Sequence, residues 1–152
     1  MNHPDEQALE EALTALEQLS KRKKAPGRWE ARALLVPLGM LLQARGEEAL
    51  ATPLGRARAA AGADAKSWAE AVTEELSLAC AEHIQGVDPR YLDLPNFDFD
   101  YVLQARERLE ARLVAARALG VEAPKQLAEQ VTEADARLKP YLDARRKSAE
   151  SP

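Results

Sequence analysis

From Ala33 to Leu42 the chain reads Ala-Leu-Leu-Val-Pro-Leu-Gly-Met-Leu-Leu, a run without a polar side chain. It is about half the length of the roughly 20 apolar residues that a membrane-spanning helix needs, so it has to be buried by protein instead. Trp29, Ala33, Val36, Met40 and Ala44 mark one helical face. Leu34, Leu35, Leu38, Leu41 and Leu42 widen it almost to the full circumference. A helix over about Arg28 to Arg45 is therefore expected to be the central, most buried element of the fold. Pro37 removes the hydrogen bond to the carbonyl of Ala33 and predicts a kink, and Gly46 suits the C-terminal cap.

The rest of the chain supplies helices to cover it. A first helix is predicted from Pro4 or Asp5, with Leu9, Ala12, Leu13, Leu16 and Leu19 as its stripe, ending in the cations Lys21 to Lys24 and stopped by Pro26-Gly27. That basic run reads as a solvated helix end. Two short helical pieces follow up to Gly62, with Thr52 as a cap before Pro53. Asp64 caps a helix to about Gln85 whose stripe is Trp68, Val72, Leu76, Ala79 and His83. Phe99, Val102, Ala105, Leu109, Leu113 and Ala116 mark a long helix that stops at Gly120, and its Arg106, Arg108, Arg112 and Arg117 are expected to be solvated. A last helix begins at Pro124 and carries Leu127, Val131, Ala134, Leu138 and Tyr141, with Pro140 expected to break it early.

Between two of these helices lies a segment that periodicity does not order. Four of the seven aromatic side chains, Tyr91, Phe97, Phe99 and Tyr101, fall between Asp88 and Tyr101, together with Asp93, Asp98, Asp100 and two prolines. Apolar area of this size packs on the helices or on a partner. The segment is the candidate partner-binding site, with Tyr91, Leu92, Leu94, Phe97, Phe99, Tyr101, Asp93 and Asp98 as its residues.

Chemistry has few carriers here. Cys80 and His83 share a helix face three residues apart, where thiolate and imidazolium could activate each other. Cys80 reads instead as a small buried hydrophobe and His83 as a continuation of the stripe, and a zinc site needs further ligands when no second cysteine exists. Asn96, Asp98 and Asp100 alternate like the first ligands of a calcium loop, with Glu107 at the twelfth position. Tyr101 stands where that loop requires Gly, and helix caps account for the same acids. No catalytic residue, metal or cofactor is assigned. Residues 56–72 have the outline of a helix-turn-helix, with Lys66 and Ser67 leading the second helix and Glu70, Glu74 and Glu75 behind them, which would repel phosphate.

Composition sets the frame. Of 152 residues 46% are hydrophobic and 30% charged, as in folded domains, and the net charge of −4 gives no global attraction for a polyanion. The acidic N-terminus leading into an amphipathic stretch is the wrong order for a signal peptide, so a cytoplasmic, non-membrane protein is expected. The fold class is all-α, a single-domain bundle of five to six helices over residues 1–147 with a disordered tail at 148–152. The expected function is a non-enzymatic protein-protein interaction or adaptor module, self-association included, binding through residues 88–101 and adjacent helix faces. The alternative is a helix-turn-helix-like DNA-binding regulator using residues 56–72.

Overall fold

The computed structural model describes residues 3–150 and is all-helical, with 83% helix and no strand among them. Seven α-helices follow one another: α1 Pro4–Lys21, α2 Arg28–Arg45, α3 Ala51–Gly62, α4 Ala65–Gly86, α5 Pro89–Leu92, α6 Phe99–Ala118 and α7 Lys125–Glu150. A single 3-10 turn, Glu48–Leu50, leads into α3. The bundle thus has one helix more than the upper expected count. The addition is α5, one turn inside the segment that periodicity left unordered.

Local chemistry accounts for most boundaries. His3 accepts from the amide of Asp5 at 3.1 Å with Pro4 in the first turn, and Asp64 accepts from the amide of Ser67 at 3.3 Å to open α4. At Gly120, φ is +84°, and the amide of Val121 reaches the carbonyl of Ala116 at 2.8 Å, the return bond that closes a left-handed helix end. Thr52 does not interrupt the chain as expected. The helix already begins at Ala51, because Pro53 falls in the first turn, where an amide has no intrahelical acceptor to lose. Pro140 likewise does not end α7, which continues to Glu150. Pro140 and Ala136, whose carbonyl loses its helical partner, are both exposed, where solvent is at hand for the lost bond. The expected tail from Ser148 is helical as far as Glu150; residues 151–152 lie outside the described part.

α2 is the central element and runs unbroken through the buried Pro37. It packs most extensively on α6, then on α1 and α4. Its buried face is Ala31, Leu34, Leu35, Leu38, Leu41 and Leu42, which joins Leu9, Leu13 and Leu16 of α1, Leu54 of α3 and Trp68, Val72 and Leu76 of α4 in the main core. Trp29 and Ala33, placed by sequence on the inward face, point outward instead, with Val36 and Met40 half-buried. Two smaller clusters complete the interior. One joins Ala79, Cys80, Leu109 and Val131, and the other joins Val87, Leu92, Val102, Ala134 and Leu138. Among the described residues no helix is long and apolar enough to cross a membrane.

Candidate protein-interaction site

The segment from Asp88 to Tyr101 is a series of turns tied to α7. Asp88 Oδ1 accepts from the amide of Arg90 at 2.8 Å, with Pro89 in first position, and this sets α5. The amides of Leu94 and Phe97 then bond to the carbonyls of Tyr91 and Leu94, each at 3.1 Å. Asp98 Oδ1 accepts from the amide of Tyr101 at 3.0 Å and starts α6.

These turns sort the side chains into two groups. Leu92 is buried among Val87, Val102, Ala134 and Leu138, with Phe97 and Phe99 half-buried against the same cluster. Phe97 meets Phe99 edge-on at 4.6 Å between centroids, Phe99 lies 6.3 Å from Tyr141, and the Arg145 guanidinium sits 5.0 Å over the Phe99 ring. Asp93 accepts from the Tyr141 hydroxyl at 2.7 Å, a bond that raises the phenol's pKa. The outward group is Tyr91 at 46% exposure, Leu94 at 47% and Tyr101 at 69%. Tyr91 and Leu94 share one turn, and the Arg90 guanidinium covers the Tyr91 ring at 5.6 Å. Of the eight residues named from sequence, Leu92, Phe97, Phe99, Asp93 and Asp98 thus hold the segment to the bundle, while Tyr91, Leu94 and Tyr101 face solvent.

Cys80 and His83 are both buried. His83 Nε2 lies 2.7 Å from Asp135 Oδ1, and Arg106 grips the same carboxylate through Nε at 3.0 Å and Nη2 at 3.0 Å while reaching Glu110 at 3.1 Å. His83 Nδ1 is buried without a partner. The neutral ring with its proton on Nε2 fits this site, because a second N–H would have no acceptor. Burial lowers the His83 pKa against the opposing pull of Asp135. Burial works to raise the Asp135 carboxyl, yet the hydrogen bonds from Arg106 and His83 outweigh it and leave the pKa below its ordinary value. Cys80 is pushed up by burial, away from the thiolate that nucleophilic chemistry uses. His83 therefore acts as a clamp between α4 and α7 and makes no bond to Cys80 through either ring nitrogen. Sequence reasoning missed this cluster, since 52 residues separate His83 from Asp135. The one available sign was an acid beside the core positions Ala134 and Leu138.

The arginines of α6 are also not all solvated. Arg106 pairs with Glu110 but is half-buried against Asp135, and Arg112 is buried beside Glu75. In the 56–72 stretch Arg56 is held by Glu10 at 2.6 Å and Glu17 at 2.7 Å, and Arg58 donates to the carbonyl of Ala118 at 3.1 Å. Most of the positive charge there is turned to the protein's own acceptors. No protein-family model matches the chain, and neither a curated protein nor a solved structure is significantly similar to it.

Proposed function

We propose that this protein is a non-enzymatic interaction module that binds another protein through the outer side of residues 88–101 and the adjoining helix faces. The observation behind this reading is the division of the segment: Leu92, Phe97 and Phe99 fix it to α7, while Tyr91, Leu94 and Tyr101 stay 46%, 47% and 69% exposed. Rigid aromatic anchors on an ordered support lose little conformational entropy on binding, which favours recognition. The acids beside them serve the support, Asp93 through Tyr141 and Asp98 through the cap of α6.

A photo-crosslinking side chain at position 91 tests this in the cell of origin. A discrete adduct is expected that disappears in a Leu94→Ser/Tyr101→Ser variant with unchanged helicity and melting. Adducts of the same intensity in that variant, or at the exposed Lys125 of α7, would remove the reading. Light scattering separates self-association from binding of a different chain, because only the former changes mass with concentration of the pure protein.

A further inference from the structure

The outward face of α2 is an apolar stripe without a cover. Trp29, Ala33, Val36 and Met40 follow at intervals of four, three and four, and Trp29 is 65% exposed. They line a groove of about 500 Å³ between α2 and α6, bounded on the α6 side by Arg108 and Arg112 and on α2 by Arg32, with Asp5 of α1 also in its wall. The stripe spans about 16 Å at the helical rise, the length of some three turns of a second helix.

Charge selects the occupant. Neither Arg32 nor Arg108 has a carboxylate in ion-pair reach among the described residues, so both charges are open to a partner, and both border the apolar groove of α2. Arg112 is occupied with Glu75. The guanidiniums of Arg28 and Arg32 stack on Trp29 at 4.6 and 5.8 Å, which presents the indole as an ordered ledge beside them. A second copy meeting this face through a two-fold axis would bring the same Arg32, Arg108 and Arg112 to the contact with a single wall acid, Asp5, to answer them. A nucleic acid strand would gain the arginines, but beyond Trp29 the groove offers its bases aliphatic Ala33, Val36 and Met40 and no second aromatic ring to stack on. An amphipathic helix with acids beside its apolar stripe satisfies both features.

We propose that the α2–α6 groove docks an acidic amphipathic helix of another protein, its apolar stripe covering Trp29, Ala33, Val36 and Met40 and its carboxylates pairing with Arg32 and Arg108. Tyr101 borders this surface through a small hollow it shares with Arg32 and Arg108. Tyr91 and Leu94 line neither, and the arginine variants below leave both untouched, so the test here reads this groove apart from the preceding site.

Trp29 reports on the groove, because the other tryptophan, Trp68, is buried. The probe is a synthetic helix of roughly 18 residues with a Leu stripe flanked by Glu, alongside a counterpart with Lys for Glu. The Glu peptide should give a saturable blue shift of emission that is absent in Trp29→Phe and weakens with salt. The Lys peptide should bind at least about tenfold more weakly, and an Arg32→Ser/Arg108→Ser variant with wild-type circular dichroism should lose about tenfold for the Glu peptide, with Arg32→Lys/Arg108→Lys in between. Equal binding of the two peptides, or affinity indifferent to both arginines, overturns the proposal. So does a saturable response to a single-stranded oligonucleotide at lower concentration than to the Glu peptide, which makes the groove a nucleic-acid site. A shift that grows with protein concentration and no peptide makes it a contact between copies and overturns it as well.

Discussion

Gly39 of α2 faces Ala111 of α6 so closely that a Cβ on Gly39 would overlap the Ala111 carbonyl and its Cα. The closest approach of the two most extensively packed helices therefore depends on a missing side chain. Exposed within a helix, Ala would be favoured over Gly by about 1 kcal/mol. Here the obstacle is backbone, which no rotamer change moves aside. Gly39→Ala should cost about 2 kcal/mol or more and lower the melting temperature by roughly 4–8 °C. Gly55 in α3 has nothing within 4 Å of its Cβ position, and Gly55→Ala should instead stabilise by up to about 1 kcal/mol. Thermal melts of the two variants check both signs.

Glu75 is buried between Arg28, at 3.4 Å, and Arg112, at 3.7 Å, and Arg112 Nε finds no hydrogen-bond acceptor. Removing one member strands the other's charge inside the bundle. Glu75→Leu should therefore destabilise by about 3 kcal/mol, whereas Glu75→Leu/Arg112→Leu should recover most of that loss. Denaturant titration of the full mutant cycle measures the coupling, and additive losses would show that the pair does not act as a unit.

His83 makes the fold acid-sensitive before the carboxylates do. Its folded pKa lies below the ordinary 6.5, so the unfolded chain takes up the proton first. The stability contributed by the neutral ring is complete above 6.5 and is lost as pH falls from there through the folded pKa. Asp135, also depressed from its ordinary 3.8, adds a second loss at lower pH. Stability measured from pH 7 down to 5 should fall in the native protein and hold nearly level over this range in His83→Gln.

Cys80 is buried and its thiol is raised from 9.0 by the same burial. Labelling by an aromatic disulfide reagent at pH 8 should proceed only through opening of the bundle and accelerate to the rate of a free thiol in denaturant. Fast labelling of the native protein would contradict the packing of α4 against α7.

Helix ends that rest on two or three neighbouring residues were legible, as Asp64 and Gly120 illustrate, whereas Thr52 and Pro140, read as a start and a stop, lie inside continuous helices. The rotation of α2 was not. With Leu or another apolar group on nearly every side, its sequence carries no polar face to mark the exterior, and the inward direction is decided by the absent side chain at Gly39 meeting α6. The same limit hid the partners of Glu75 and Asp135, which lie on other helices. In the aromatic segment the capping role of Asp98 was readable, since its acceptor and donor are three residues apart. Which rings turn inward was not, because that follows from where α7, beginning more than twenty residues later, lays Tyr141 and Leu138.

The interior is unequal from end to end: one large cluster of leucines around α2, a small one where α4, the middle of α6 and α7 meet, and another where α5, α7 and the start of α6 meet. Resistance to opening follows buried apolar area, so the molecule carries a gradient of firmness along its length. Its softer pole is the one that displays the tyrosines. A partner that grips Tyr91 would therefore hold the region the bundle itself holds least, and the leucine-rich pole would keep its shape while that grip forms and releases.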